Sequence, residues 1–583
     1  DYFECKLIDY ANRYAVQPER LAGAAHQRKT ADDHPFIRRN PDKCILCGLC
    51  VRICDEVVGA TALGLVDRGF DTIVKPSLDR PLNETDCIAC GQCVHVCPTG
   101  ALTETLMIEK QVPTRALETQ TVCSFCSVGC QTKLTHTGDL LLRALPVAED
   151  NRDALLCMKG RFGFGEIARA DRLTRPLIRN AAGSFEAVPF ETAYTHAAKR
   201  LQAVKAVYGP DSVAIAVSDR YTNEEVFLIK EYAQKALGTR AVFSLGKARG
   251  GLADTLGADA STADFDGLEQ TGLVLLIESD IRSPHAVAGL RVRKAFENGA
   301  EIIALNSFES AVDEYASMRL DPGSDLSLLK GILKAVMDLS GAGKEIPGYE
   351  ALREALGAVS VSPDALKVAG AYVKAKKAVI IFEQNRISAD AARLVGDIAL
   401  CGGHAGGARS GVIQLKPGAN AQGLADLGVG NGEDLIECIN RGVVKGLVIF
   451  GEDSAAFDAS ALDFLAVQDL QLTRTAQKAE LVLPARSFAE GAGTFTSAVG
   501  KVQSLKAAVS SPIPVTTIDI IKGLAKALGY DMPYRDGRDV ILPERTIQPV
   551  NLAQPDGNAL ARTVANTNAL YNSLMAFAKS AGL

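Results

Sequence analysis

From about residue 176 onward the chain alternates short, unbroken apolar runs with longer stretches in which apolar residues recur at helical spacing. Val213–Val217, Leu273–Ile277, Glu301–Leu305, 378–382, Gly446–Phe450 and 464–467 are strand-sized and largely apolar at successive positions, the pattern of strands covered on both faces. Segments 223–237, 286–298 and 326–337 carry the 3.6-residue period of helices. Such alternation predicts parallel sheets with helices on both faces, so the fold class expected for 176–540 is α/β, as two or more doubly wound α/β/α lobes. The earlier part reads differently. Residues 1–35 are polar and helix-prone, with Tyr2, Leu7, Tyr10 and Tyr14 near helical spacing. Residues 36–115 carry two dense cysteine runs, and 116–175 carry a third, looser group. Residues 541–583 read as a polar linker followed by a helix over 559–579.

Composition adds little to this outline. The chain has 583 residues, 47% of them apolar and 23% charged, room for about four domains at ~150 residues each. A net charge of −6 and short basic clusters such as Arg38-Arg39 argue against a nucleic-acid surface. No apolar run approaches the roughly 18 residues of a membrane span, and no signal-peptide pattern opens the chain, so a cytoplasmic location is expected. Residue 1 is not Met, so the first residue need not be the start of the protein.

The cysteines change the picture. Of 15, all but Cys401 and Cys438 lie between Cys5 and Cys157, mostly in C-x-x-C groups. In a long chain without a secretory signal such groups favour metal or cluster ligation over disulfides. The strongest signal is a repeated pattern, Cys44-x2-Cys47-x2-Cys50-x3-Cys54 and Cys87-x2-Cys90-x2-Cys93-x3-Cys97-Pro98. A tight loop wraps three corners of a [4Fe–4S] cube, and the fourth cysteine crosses to the other cube. The first cluster is therefore assigned to Cys44, Cys47, Cys50 and Cys97, and the second to Cys87, Cys90, Cys93 and Cys54. Gly48 and Gly91 let the loops approach the cubes. Asp55 stands where the motif has Pro. Two zinc sites would not require the crossed pattern twice.

Cys123-x2-Cys126-x3-Cys130 with the distant Cys157 suits a third cubane, with zinc the rival on spacing. Cys5 has no local partners; it is either an ordinary buried thiol or the last ligand of a cluster begun upstream. His95 reads as solvent-facing, Cys401 and Cys438 as core thiols, and His404 as a turn residue. The Gly-rich stretches 246–251 and 428–432 lack a full G-x-G-x-x-G and read as plain loops. No G-x-S-x-G occurs, and seven histidines are scattered.

Cys157-Met-Lys-Gly-Arg-Phe-Gly and Asp171-Arg-Leu-Thr-Arg-Pro-Leu resemble the molybdopterin oxidoreductases, in particular the large subunit of NAD-linked formate dehydrogenases. Tyr221-Thr-Asn-Glu-Glu, Leu320-Asp-Pro-Gly-Ser-Asp, Gly418-Ala-Asn-Ala-Gln-Gly, Val467-Gln-Asp-Leu-Gln-Leu-Thr-Arg-Thr-Ala and Leu483-Pro-Ala-Arg-Ser-Phe-Ala-Glu-Gly-Ala-Gly-Thr-Phe-Thr continue the resemblance. Cys5-Lys-Leu-Ile-Asp-Tyr-Ala-Asn-Arg-Tyr is similar to the end of a one-His, three-Cys cluster motif shared with the G-type subunit of respiratory complex I. That likeness implies that Cys5 is a ligand of a fourth cluster whose other ligands precede residue 1, so that 1–35 would end an upstream domain.

The resemblance breaks where the metal chemistry lies. Family members present a Cys or selenocysteine, followed by His, before a Gly-Leu-Ala. Here Gly251-Leu-Ala is preceded by Phe243-Ser-Leu-Gly-Lys-Ala-Arg-Gly. No room remains after about residue 540 for the family's C-terminal barrel. Lys159 resembles the lysine that bridges the third cluster to the pterin, and reads here as a vestigial pterin contact. The resemblance thus implies an electron-relay subunit without molybdenum, tungsten or a catalytic site of its own. Its partners would be a flavin-containing NAD(P)H-binding subunit, a thioredoxin-like [2Fe–2S] subunit and ferredoxin, in an oxidoreductase complex of which an electron-bifurcating transhydrogenase is one form. The alternative is the catalytic subunit of a molybdenum or tungsten formate dehydrogenase. A structural protein with vestigial cysteines is a third reading, which three intact motifs disfavour.

Overall fold

The computed structural model describes residues 6–17, 28–105, 116–147, 155–282, 284–324, 326–406, 409–540, 542 and 552. Cys5, Tyr2 and the helix expected over 559–579 lie outside the described residues. Two compact units emerge. Asp1–Cys123, Cys130–Ala168 and Ala286–Lys294 form the first; Ser124–Gly129, Arg169–His285 and Ala295–Leu583 form the second.

In the first unit the strand Ile37–Arg39 pairs antiparallel with Leu102–Glu104, closing the region that carries both tetracysteine motifs. Each motif runs into a short helix, Leu49–Arg52 or Gln92–Val96. Ile37, Ala62, Leu63, Leu82 and Leu102 pack with Cys50 and Cys93 into one small core. A core this small buries limited apolar area, so the sulfurs are structural as well as chemical. A three-stranded antiparallel sheet follows, Leu117–Val122, Gln131–His136 and Leu141–Pro146. It was not expected from the sequence, because the polar Leu117–Val122 and Gln131–His136 contain no apolar run.

The second unit contains a small antiparallel pair, Gly493–Thr496 with Val502–Leu505, and two large sheets. One has the order Val242–Phe243, Val213–Val217, Gly446–Phe450, Phe464–Asp469, Leu481–Pro484, Leu177–Arg179, Phe185–Ala187. Its first five strands are parallel, and the last two are added antiparallel. The other is fully parallel, Met318–Leu320, Glu301–Leu305, Leu273–Ile277, Ala378–Glu383, Gly411–Leu415. Helices such as Ser327–Leu339, Pro363–Lys374 and Ala389–Cys401 join the latter sheet in one apolar core. Asn223–Glu231 begins with a Thr222/Glu225 capping box, and the chain then widens into a π-turn over Tyr232–Leu237. The expected α/β class and parallel sheets are therefore present.

Strand order reverses twice. In the larger sheet the chain leaves Val213–Val217 for Val242–Phe243 on one side and returns to Gly446–Phe450 on the other. The crevice beyond the carboxyl ends of such strands is where doubly wound sheets bind ligands.

Candidate cluster sites and the loop at the strand-order reversal

The two tetracysteine motifs share their loop geometry up to the third cysteine, after which the first continues as a π-helix through Cys54 and the second turns extended at Cys97. Leu46 (φ 55) and Ala89 (φ 54) adopt left-handed backbone, and Gly48 (φ 71) and Gly91 (φ 68) follow. For a non-glycine residue this geometry costs about 1–2 kcal/mol. In return it turns backbone N–H groups toward sulfur: Leu46 N–H faces Cys44 Sγ at 3.4 Å and Ala89 N–H faces Cys87 Sγ at 3.4 Å. Ala62 N–H donates to Cys54 Sγ at 3.3 Å. Such bonds stabilise negative charge on ligating sulfur.

Two cavities follow from this fold. Cys44, Cys47, Cys50 and Cys97 line one, with Ile45, Leu49, Pro98 and Leu102. Cys54, Cys87, Cys90 and Cys93 line the other, with Ile37, Leu63 and Leu82. Each cavity thus holds three cysteines of one motif and the last cysteine of the other. Burial, and then its neighbours Cys44, Cys97 and Cys47, push the Cys50 thiol up to about 12. Burial followed by Cys90, Cys87, Cys54 and Cys50 raises Cys93 well above its ordinary value. Four converging thiolates in a low-dielectric pocket require compensating positive charge, which the iron of a [4Fe–4S] cube supplies. The residues fit that group. The first cavity opens outward: Cys47 is exposed, beside Ile45 (50% exposed) and Leu46 (39%). In the second no cysteine is fully exposed and Cys93 is buried, with His34 Nε2 lying 3.9 Å from Cys87 Sγ. His95, expected to face solvent, is half-buried with its Nε2 shielded from water, because the helix Gln92–Val96 turns inward behind Cys93.

For the third group, Cys123, Cys130 and Cys157 belong to the first unit, whereas Cys126 lies on the Ser124–Gly129 segment of the second. Cys123 N–H donates to Cys130 O at 2.9 Å. Cys157 sits at the N-cap of the helix Met158–Phe162. Lys159 on that helix is exposed. Within the second unit, the Cys126 segment is anchored by Ser127, whose hydroxyl donates to Lys416 O at 2.6 Å and accepts from Lys416 N–H at 2.9 Å. Cys401 and Cys438 are buried on helix faces. His404 is buried beside Ser410 Oγ (2.8 Å) and Tyr372 O (3.2 Å).

The loop 244–251 follows the edge strand Val242–Phe243 at the strand-order reversal. Its polar atoms turn to one another. Glu452, two residues beyond Gly446–Phe450, accepts from Ser244 Oγ at 2.7 Å, Leu245 N–H at 3.0 Å and Gly246 N–H at 3.3 Å. The anion cradled by this Gly-rich loop is the chain's own carboxylate. Asn385 Nδ2 donates to Gly246 O and Gln384 Nε2 to Ala248 O, each at 3.0 Å. Gly251 abuts Ala389 O so closely that a Cβ would lie 2.1 Å from it. Lys247 donates to Val429 O at 2.5 Å. Burial draws its ammonium down to about 8, opposed by Asp259 and reinforced by Lys416. Lys416, 1% exposed, donates to Asp259 O at 2.9 Å and Gln414 Oε1 at 2.5 Å. Two ammonium groups and a committed hydroxyl do not form a ligand set for a soft metal, which needs thiolate or selenolate. Lys247, Lys416, Asp259 and Glu452 were missed by sequence reading. Their only signal was a charged residue inside a glycine-rich or apolar stretch.

Comparisons with known proteins identify the family. The family model described as molybdopterin oxidoreductase matches residues 172–527, the 4Fe-4S dicluster domain matches 33–101, and the molybdopterin oxidoreductase Fe4S4 domain matches 117–169. The chain belongs to the molybdopterin oxidoreductase family, as the segments around Cys157 and Leu483 implied. It is 29% identical to the NADPH-Fe(3+) oxidoreductase subunit alpha of Geobacter sulfurreducens (strain DL-1 / KN400), over 87% of this chain and 67% of that protein. It is 26% identical to a Staphylococcus aureus (strain bovine RF122 / ET3-1) protein provisionally named a formate dehydrogenase, over 88% of this chain and 63% of that one. Acetylene hydratase from Pelobacter acetylenicus shares the fold, with a TM-score of 0.55 at 16% identity over 70% of this chain and 69% of that one. Among the described residues no helix is long and apolar enough to cross a membrane.

Proposed function

We propose that this chain is the iron–sulfur electron-relay subunit of a multi-subunit NAD(P)H-linked oxidoreductase and carries no catalytic molybdenum or tungsten. The observation that carries the reading is the 244–251 loop. Where the family resemblance places a metal-ligating thiolate, Ser244 is bonded to Glu452, and the half-buried Lys247 stands near a second ammonium, Lys416. The crossed cysteine cavities support two [4Fe–4S] clusters, and the spacing of Cys123, Cys126, Cys130 and Cys157 a third. When bound, such clusters supply one-electron transfer over a wide range of potentials. The chain's own residues hold the sulfurs and donate N–H bonds to them. The cavity with the exposed Cys47 is the side suited to a partner, and the one without an exposed cysteine to onward transfer within the subunit. A flavin-bearing NAD(P)H-binding subunit would exchange electrons with it, and ferredoxin or a second flavin subunit would take or return them. Cys5 would add a fourth cluster with ligands preceding residue 1. The name of the Geobacter relative supports an NADPH link; electron bifurcation rests on analogy alone.

The second reading, a formate dehydrogenase catalytic subunit, is favoured by the provisional name of the Staphylococcus relatives. Anaerobic titration of the purified native complex separates the two. On the favoured reading NADH or NADPH reduces the clusters, seen by electron paramagnetic resonance, and formate does not. Reduction by formate, with or without reduction by a nucleotide, would overturn it.

A further inference from the structure

The helix Met158–Phe162 begins at Cys157 and within one turn reaches the second tetracysteine motif. Gly160 lies against the third group, where a Cβ would stand 3.2 Å from Cys123 Sγ. Arg161 lies against the loop between Cys90 and Cys93: a Cβ on Gly91 would meet Arg161 Cγ at 3.0 Å and Nε at 3.1 Å. Arg161 N–H donates to Cys157 O at 2.9 Å. Its side chain is 2% exposed and pairs with Glu104 at 2.6 Å. Phe162 stacks on Phe36, centroids 4.9 Å apart and planes 5° from parallel, which fixes the helix in place. A second guanidinium, Arg143, stands near enough for Arg161 to lower its pKa after burial has done so.

A buried, permanently charged guanidinium on the backbone of a cluster loop acts on that cluster through low dielectric. Adding one electron to a cluster already enclosed by four thiolates increases local negative charge, and a fixed cation favours that form. We infer that Arg161 is a positioning and tuning residue for electron transfer: it raises the reduction potential of the cluster held by Cys54, Cys87, Cys90 and Cys93, and Glu104 sets how far. This rests on the cluster assignment above. Iron content tests that assignment, and potentials test this inference.

The experiment is a redox titration of the full complex, followed by electron paramagnetic resonance, on wild type, Arg161→Gln, Arg161→Lys and Glu104→Gln. At a potential that half-reduces the second cluster in wild type, Arg161→Gln should lower the reduced-to-oxidised ratio at least tenfold, 59 mV for one electron. Glu104→Gln should raise it, and Arg161→Lys should restore most of the wild-type value. Iron per chain should be unchanged in all three. Shifts of the same sign in Arg161→Gln and Glu104→Gln, or no shift with full iron content, would overturn the inference. If Arg161→Gln loses iron, the upward shift of Glu104→Gln decides, and its absence counts against the inference.

Discussion

Ser244 donates its hydroxyl proton to Glu452 Oε1 at 2.7 Å, in the loop that the family resemblance aligns with metal ligation. One carboxylate gathers the Ser244 hydroxyl and two backbone N–H groups, and the loop's bonding capacity is spent within the chain. This pair joins the end of one strand at the reversal to the loop beyond its neighbour's neighbour, which no local pattern would reveal.

The same pair carries a pH signature. Burial pushes the Glu452 carboxyl up to about 7, against the lowering effect of its three donors. The folded pKa lies above the unfolded value, so the folded state binds the extra proton. Stability is then greatest below about pH 4.5 as far as this group is concerned, and falls as pH rises to about 7. The difference is on the order of 3 kcal/mol at 1.36 kcal/mol per unit. Unfolding midpoints of wild type and Glu452→Gln, compared between about pH 5.5 and pH 8, should diverge, with the wild type losing more. Parallel curves would contradict the assignment.

The crossed ligation predicts which cluster each last cysteine serves. Cys54 lines the cavity of Cys87, Cys90 and Cys93, so Cys54→Ser should alter the spectrum of the second cluster and leave that of the first. Cys97→Ser should do the reverse. A Cys54→Ser variant that perturbed the first cluster would refute the crossing.

Gly48 and Gly91 occupy equivalent left-handed positions but have different neighbours. Nothing lies within 4 Å of a Cβ at Gly48, whereas at Gly91 it meets Arg161 and Phe162 at 3.0 Å. Gly48→Ala should cost about 1 kcal/mol from backbone strain alone. Gly91→Ala should cost clearly more and release iron faster under chelator challenge. Equal losses at the two sites would count against the packing described for Met158–Phe162.

Arg172 and Glu490 form an ion pair with side chains 7% and 2% exposed. They come from two of the segments that carry the family resemblance, one at 171–177 and one at 483–496. Arg172→Met leaves a buried carboxylate without this partner and should cost about 3–5 kcal/mol, read as a lower unfolding midpoint. A change within about 0.5 kcal/mol, usual for a surface site, would show the pair to be dispensable.

Much of the second unit was legible because its strands are apolar on both faces. Val213–Val217, Leu273–Ile277, Glu301–Leu305 and Gly446–Phe450 stand where the runs placed them, and Ala378–Glu383 and Phe464–Asp469 extend theirs by a residue or two. Leu481–Pro484 is apolar but only four residues long and was left unread, and most of the other unread strands have a broken pattern. Gly411–Leu415 contains Gln414, buried and bonded to Asp259 at 3.0 Å, and Val242–Phe243 has two residues. Leu177–Arg179 and Phe185–Ala187 are half-exposed additions at the sheet edge. At the sites, cysteine spacing announced which sulfurs share a cavity, because ligand spacing is local. The Lys247–Lys416–Asp259 cluster and the Arg161–Glu104 pair are contacts between distant residues, and sequence carries no period for those.

The most direct test is the metal content of the purified native complex. The account predicts iron at about twelve to sixteen atoms per copy of this chain, twelve for three [4Fe–4S] clusters and four more for the one that includes Cys5, beyond whatever its partners carry, with molybdenum and tungsten at background. About one molybdenum or tungsten atom per chain would contradict it.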